Sequence, residues 1–393
     1  MLVLYGLGTT IGAGIYALTG EVAGSAGTRA PLAFLVAAAL AGITGLGFAE
    51  LAGRLPKAAG EAVFVEHAFA RRRVTQAVGA AVLTAGVVSA AAVSNAFGGY
   101  ISEATGLPSR ALVVGLLAVL GVVAVSGVKE SVGTAAVFTV VEIIGLGLVV
   151  WAGRGTLGDV PARAGDLFGP VVGWDVWSGV LGGSFLAFFA FLGFEDIDAV
   201  AEETKDARVT LPRAILVTLA ITTVLYVVVA TVAVLTVEPA TLGESDAPLA
   251  LVYERSGGAE DVLSVIAGLA MLNGVLVQLV MVPRVIYGLA NLGLVPDSFG
   301  AVSARTHTPV RATVAGLLVV VVLAVSLDLA PLARITSAAT LAVFVAINLA
   351  LIVIKRRDGA TTSFQVPVWL PGVGVVAAGL LFAAEIGRMI GLT

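Results

Sequence analysis

The stretch from Gly6 to Tyr16 contains backbone groups that could bind a ligand. It reads GLGTTIGAGIY and lies within an apolar segment, residues 2–26, that is long enough to cross a bilayer. Glycines and adjacent β-branched residues disfavour an uninterrupted helix. In hydrocarbon each unpaired backbone group is costly, so a helix that breaks at membrane depth must face protein, water or a ligand. We therefore predict a break at Gly12-Ala13-Gly14 whose free amide groups bind a ligand.

Two further features place unusual chemistry inside apolar segments. Residues 182–195 read GGSFLAFFAFLGFE, in which glycines and clustered phenylalanines precede an acid. Glu142 lies in the middle of another apolar segment, AVFTVVEIIGLGLVVW. A charge at the centre of a membrane helix costs about 2.5–3.5 kcal/mol on insertion scales, so such a residue is by default functional and faces the protein interior or water. A protonated or hydrogen-bonded structural acid is the alternative.

The composition is that of an all-α integral membrane protein. Of the 393 residues, 59% are hydrophobic and only 12% are charged, which is too little charge for the surface of a soluble domain. The sequence has no cysteine and only two histidines, both in polar loops, so thiol chemistry is excluded and a histidine metal site is disfavoured. The net charge is −4 without a basic tail. Nothing indicates a nucleic-acid partner or a cofactor.

About eleven apolar blocks have the length of a transmembrane helix. We expect one domain over residues 1–393, with two short helices outside the spans, one at 60–70 and one within 237–261. The predicted spans are residues 2–26, 31–52, 75–100, 111–127, 133–152, 178–201, 213–236, 261–282, 310–327, 333–354 and 367–391.

The two glycine-rich stretches occupy corresponding positions in this series. Spans 1–5 fill residues 1–153 and spans 6–10 fill residues 178–356, and 367–391 is an extra helix. An odd number of spans in each half inverts the second half relative to the first. For either stretch alone, close packing through small residues explains the glycines about as well as a break. Two interrupted spans at matching positions of inverted halves favour breaks that form a transporter's binding site.

Basic residues predict the orientation in the cytoplasmic membrane. With the N-terminus in the cytoplasm, 15 of the 22 Lys and Arg residues lie on the inner side and 7 on the outer side. This asymmetry follows the positive-inside rule. We expect a multi-pass protein with a cytoplasmic N-terminus and an outer C-terminus.

Several motifs resemble those of the amino acid–polyamine–organocation (APC) superfamily of permeases. GLGTTIGAGIYALTG is similar to the first span of that family, and FFAFLGFEDIDAVAEETKDARVTLPRAI to its sixth span and the following loop. FAELAGRLPKAAGEAVFVEHAF resembles the loop after span 2, and PRVIYGLA the end of span 8. The resemblance covers nearly the whole chain. It implies a leucine-transporter-type fold with a 5+5 inverted repeat and with helices 1 and 6 broken in mid-membrane.

The resemblance also implies a substrate site. A zwitterionic amino acid needs donors for its carboxylate and acceptors for its ammonium group. By analogy with the family, the amides of Gly12, Ala13 and Gly14 would bind the carboxylate, aided by the helix dipole. The expected ammonium acceptors and their neighbours, with the phenylalanines that could cover the substrate, are Thr10, Phe189, Ala190, Phe191, Leu192 and Phe194.

The resemblance leaves the coupling open. Some proton-coupled members have a lysine in span 5, and the motif KESVGTAAVFTVVE places Glu142 at that position. Glu142 could carry a proton, take part in binding cationic substrates, or be absent from the mechanism of a simple exchanger. Sodium is disfavoured because span 8 has no hydroxyl side chain after Ser264, although Asn273 could replace one weakly.

The leading hypothesis is a secondary transporter that moves amino acids by alternating access, as a proton-coupled symporter. Two alternatives are an amino-acid or amine antiporter without proton coupling, and a membrane sensor that binds amino acids without transporting them. An enzyme is disfavoured because the sequence has no cysteine and its intramembrane acids are too scattered to form a pair. The expected partners are a small amino acid or amine, a proton and the lipid bilayer.

Overall fold

The chain folds into helices that run back and forth through one apolar layer. The computed structural model describes residues 1–56, 60–127, 132–170, 172–291, 295–303, 305–306, 308–359, 362 and 364–389. Its helices are α1 Leu2–Ala26, α2 Ala30–Arg54, α3 Gly60–Phe69, α4 Arg72–Thr105, α5 Ser109–Ser126, α6 Val132–Ala152, α7 Val160–Phe168, α8 Trp174–Ala190, α9 Ala207–Thr236, α10 Pro239–Glu244, α11 Pro248–Arg255, α12 Glu260–Asn291, α13 Val310–Ser326, α14 Leu329–Asp358 and α15 Leu370–Met389.

Most of these helices can cross a membrane. Within the described residues, nine helical segments are long and apolar enough to do so. The first of them, Leu2–Arg54, contains both α1 and α2, which are separated by a 3-10 turn at Gly27–Arg29. Helix α13 is apolar but has 17 residues, just below the length required. The structure thus confirms an all-helical protein with several membrane spans.

Local sequence signals explain where the helices begin and end. Pro31 lies in the first turn of α2, where its missing N–H costs nothing. Gly106 ends α4 in the left-handed conformation, and its N–H donates to the carbonyl of Ser102 at 2.7 Å. The predicted short helix at 60–70 is α3, and α10 and α11 lie in the acidic segment 237–261. The short helix at 60–70 is therefore confirmed, and the segment 237–261 contains two short helices where one was expected.

A buried ionic network joins α2 to α14. The carboxylate of Glu50 is fully buried and accepts hydrogen bonds from Arg54 at 2.6 and 2.9 Å and from Lys355 at 2.7 and 2.8 Å. The backbone N–H of Val366, in the segment before α15, donates to the same carboxylate at 2.8 Å. Since each charge is paired and hydrogen-bonded, the desolvation cost of burying them is offset. The network fixes one end of the bundle around the helices that line the site.

Candidate functional site

Helix α1 is interrupted at Gly12. Gly12 has φ −3° and ψ −144°, far from helical values, whereas the residues on either side continue the helix. We call this interruption the first break. It falls within the predicted Gly12-Ala13-Gly14 segment, at a position that is buried in the protein. The two halves of α1 therefore end and begin next to each other inside the membrane layer, where an interruption exposes backbone donors and acceptors.

Helix α8 stops at Ala190, which makes the second break. The backbone hydrogen bonds there span three residues rather than four. The N–H of Phe191 donates to the carbonyl of Phe188 at 3.1 Å, and the N–H of Leu192 donates to the carbonyl of Phe189 at 3.2 Å. Gly193 follows with φ +111°, a conformation that L side chains rarely adopt, and a 3-10 segment then covers Glu195–Glu203. The span predicted over 178–201 is thus a helix only as far as Ala190. The second break comprises residues 191–194.

The two breaks touch each other. The hydroxyl of Thr9 donates to the carbonyl of Gly193 at 2.8 Å, which joins the first half of α1 to the second break. Gly14 packs directly on Ala190: a Cβ placed on Gly14 would lie 2.6 Å from the Cα of Ala190. Only glycine permits this approach, because the obstructing atom belongs to the backbone. The glycines of the first break therefore serve packing and the break at the same time.

Both breaks line one cavity of about 160 Å³. This volume is several times the ~30 Å³ share of one water molecule, so the cavity has room for a small solute. The remaining walls come from α3, α4, α12 and α14, with Ser89, Asn273, Gln278, Thr336 and Thr340 as uncharged polar contributors. The predicted site residues that line the cavity are Thr10, Gly12, Ala13, Gly14, Phe189 and Leu192.

Ala190 and Phe191, also predicted site residues, do not line the cavity. Ala190 faces Gly14, and Phe191 is fully buried with its ring edge-on to Tyr226 at a centroid distance of 5.1 Å. Phe194, predicted to help cover the substrate, packs against Phe48 at 5.7 Å. The turn after Ala190 ends the helical phase, so residues that share a face in a continuous helix point in different directions here. Phe189 is the phenylalanine that the structure brings to the cavity.

Among the described residues, the charged side chains that line the cavity are all acidic. They are Glu61 from α3 and the neighbouring pair Glu195 and Asp196 after the second break. Glu195 accepts a hydrogen bond from the N–H of Gly193 at 2.9 Å, which ties its carboxylate to the break. Burial raises the pKa of Glu61, so its carboxylate takes up a proton at a higher pH than an exposed glutamate does. Sequence reasoning missed both Glu61, which only the fold brings to this cavity on α3, and Asp196, which follows Glu195 in the 3-10 segment after the second break.

Tyr226 on α9 is a second contribution that sequence reasoning missed. Its side chain is fully buried, and its hydroxyl oxygen lies 2.9 Å from the carbonyl oxygens of both Thr10 and Ala190 and 3.3 Å from that of Ile11. One side chain therefore contacts backbone carbonyl groups beside both breaks. The signal available in the sequence was weak. Residues 214–236 are aliphatic residues and threonines, and Tyr226 is the single tyrosine among them.

Glu142 lies beside the site rather than in the cavity lining. It is fully buried on α6, and neither carboxyl oxygen has a hydrogen-bond partner among the described residues. The amide of Asn273, which does line the cavity, is its polar neighbour on α12. The hydroxyl of Tyr16 donates to the backbone carbonyl of Glu142 at 2.7 Å and so links α6 to the second half of α1. Glu142 is therefore connected to the site through its neighbours Asn273 and Tyr16 rather than by lining the cavity itself.

The fold and the cavity define a class: an all-helical membrane protein in which two interrupted helices share one internal site. The chain belongs to the amino acid permease family, whose model matches residues 2–390. This membership confirms the resemblance to the APC superfamily. It also confirms the prediction that the protein is not an enzyme, because the family consists of permeases.

Several proteins named as amino acid transporters or permeases are similar to this chain. The vacuolar cationic amino acid transporter 4 of Arabidopsis thaliana is 30% identical over 384 residues, which cover 90% of this chain and 62% of the relative. Cationic amino acid transporter 4 of Mus musculus is 28% identical and covers 92% and 60%, respectively. The branched-chain amino acid permease BcaP of Bacillus subtilis is 28% identical and covers 95% and 84%. The chain spans about three fifths of the length of the plant and mouse relatives.

Proposed function

We propose that the protein is a secondary transporter that moves amino acids across the cell membrane by alternating access. The observation that carries this proposal is the single cavity lined by both breaks. In it, the amides of Gly12, Ala13 and Gly14 bind the substrate carboxylate. The carbonyl groups of Thr10, Phe189 and Leu192 accept the ammonium group. Neither interaction needs a charged side chain, which suits helices as apolar as α1 and α8.

The proposed architecture is a 5+5 inverted repeat followed by one extra helix. Helices α1, α2, α4, α5 and α6 form the first half, and α8, α9, α12, α13 and α14 form the second. The two broken helices then open the two halves, and α15 is the eleventh span. The distribution of Lys and Arg supports a cytoplasmic N-terminus and an outer C-terminus.

We propose a proton as the coupling ion, carried by Glu142. Support comes from its full burial, from the two carboxyl oxygens without a partner among the described residues, and from its neighbour Asn273 in the cavity wall. A buried carboxyl group that has no fixed cation beside it is far cheaper to keep neutral than charged. Antiport without proton coupling and amino-acid sensing without transport are the alternatives that the experiments below separate.

Cationic amino acids are the substrates that the cavity favours over branched-chain ones. Both kinds occur among the names of similar transporters. The charged lining residues Glu61, Glu195 and Asp196 are acidic and would attract an ammonium or guanidinium group on a substrate side chain. The apolar side chain of a branched-chain substrate would gain nothing from these acidic groups.

The test is uptake by proteoliposomes of L-arginine, L-lysine, L-leucine and putrescine, with and without a pH gradient. We expect saturable uptake, with arginine and lysine preferred, stimulated by an inward proton gradient. Uptake stimulated only by amino acid loaded inside the vesicles would establish the antiporter instead. Binding of arginine without flux in any condition would establish the sensor and contradict transport.

The variant Asp196→Asn tests whether the acidic lining selects substrates by the charge of their side chain. A pair of unit charges at 4 Å is worth about 1 kcal/mol in a water-filled space, which corresponds to roughly a fivefold change in affinity. We expect the KM for arginine to rise about fivefold and the KM for leucine to stay unchanged. An equal effect on both amino acids would contradict the role of the acidic lining in selection.

A further inference from the structure

The hydroxyl group of Tyr226 is shared between the two breaks. A phenol has one hydrogen to donate. Around it lie the carbonyl oxygens of Thr10 and Ala190, both at 2.9 Å, and that of Ile11 at 3.3 Å. Thr10 and Ile11 belong to α1 next to the first break, and Ala190 ends α8. Carbonyl groups at such positions lose their helical donors, and Tyr226 supplies a substitute from a third helix, α9.

Tyr226 contacts these carbonyls from outside the set of residues that line the cavity. It does not appear in the cavity lining, whereas Thr10 does. A carbonyl oxygen has two lone pairs, so the Thr10 carbonyl can accept from Tyr226 on one side and from a bound ammonium group on the other. The ring of Tyr226 is held edge-on by Phe191 at 5.1 Å and by Phe34 at 5.9 Å. The hydroxyl is therefore fixed in place rather than free to turn with the substrate.

We propose that Tyr226 is a positioning residue for the ammonium end of the substrate. Its hydroxyl holds the carbonyl ends of the two broken helices at one spacing, and this spacing makes the Thr10 carbonyl an acceptor for the ammonium group. The inference rests on the proposed function, because it assumes that an amino acid binds between the breaks. It explains why the fully buried Phe191 faces Tyr226 rather than the cavity: its ring packs against the positioning side chain.

Tyr226→Phe removes the hydroxyl and keeps the ring between Phe191 and Phe34. The affinity is measured for three ligands as inhibition of amino-acid uptake: L-arginine, L-argininamide, which keeps the ammonium group, and argininic acid, in which a hydroxyl replaces it. If leucine is the transported amino acid, then leucine, leucinamide and 2-hydroxyisocaproate are used. We expect arginine and the amide to bind about five- to tenfold more weakly, the effect of one buried hydrogen bond, and the hydroxy acid to bind as before.

Tyr100→Phe is the matched control. Tyr100 is also a fully buried tyrosine. Its hydroxyl donates to the backbone carbonyl of Tyr16 at 2.8 Å and accepts from the N–H of Leu249 at 3.1 Å, away from both breaks. Loss of this hydroxyl should change the affinities of all three ligands by the same factor. The difference between the two variants then isolates the ammonium-dependent effect from a general loss of packing.

The outcomes separate this inference from the proposed function. If the wild-type protein takes up no amino acid, the proposed function fails. If the wild type transports and Tyr226→Phe leaves every affinity unchanged, or weakens all three ligands equally, the positioning role is wrong while transport stands. If argininic acid does not inhibit the wild type, the test rests on L-argininamide. Tyr226→Phe must then weaken the binding of the amide by the same factor as that of arginine, and a smaller loss of affinity for the amide overturns the proposal.

Discussion

Replacing Gly14 with valine should reduce amino-acid uptake at least 100-fold. A Cβ at this position would lie 2.6 Å from the Cα and 3.0 Å from the Cβ of Ala190, and valine adds two further carbons. The obstructing atoms include the backbone of Ala190, the last residue of α8 before the second break, which cannot move aside as a flexible side chain can. The breaks must separate, and the amides and carbonyls that are proposed to bind the substrate no longer face one cavity. Uptake of radiolabelled arginine by proteoliposomes measures the effect.

Gly42→Ala is the control for Gly14→Val. Gly42 lies on α2, and a Cβ there would meet nothing within 4 Å. We expect this variant to transport within twofold of the wild type and to be expressed equally well. Gly14→Ala should fall between the two, because its single Cβ already meets Ala190. If Gly14→Val retains uptake within threefold of the wild type, the contact between the breaks is not needed for transport.

Replacing Glu142 with glutamine should abolish accumulation driven by a pH gradient. Each pH unit is worth about 1.36 kcal/mol, so a gradient of two units can drive up to roughly 100-fold accumulation by a transporter that couples one proton. Glutamine has the shape of the protonated acid but cannot release a proton. We expect the variant to equilibrate its substrate without concentrating it, whereas exchange of external for internal substrate continues.

The surroundings of Glu142 make this result specific. Tyr16 from α1 donates its hydroxyl to the backbone carbonyl of Glu142 at 2.7 Å, and Asn273 is the polar neighbour from α12. Retained exchange shows that the Glu142→Gln protein is folded and binds substrate, so lost accumulation is then assigned to coupling. Accumulation that still follows the pH gradient would show that Glu142 is structural.

Much of this site could be predicted because its signals are local. Glycines at membrane depth have few explanations, and a break at Gly12 follows from residue types and the absence of water. The end of α8 at Ala190 follows from the same reasoning applied to residues 182–195. The lengths of the apolar blocks locate the helices because the bilayer sets one thickness for all of them.

The rest of the site depends on packing that the sequence does not encode locally. Phe191 was expected in the site as a phenylalanine beside the break that could cover the substrate, but the turn after Ala190 directs it towards Tyr226 instead. Glu61 comes from a short helix between spans, and its presence in the cavity depends on where that helix rests. Tyr226 acts through three distant carbonyls, a contact that no spacing in the sequence reveals.

An experimental structure with bound L-arginine would test the central claim most directly. We predict that the substrate carboxylate lies about 3 Å from amide nitrogens of Gly12, Ala13 and Gly14, and the α-ammonium at the same distance from the carbonyls of Thr10 and Leu192. The guanidinium group should point towards Asp196. Arginine bound elsewhere, with both breaks free of ligand, would contradict the claim that the paired breaks form the substrate site.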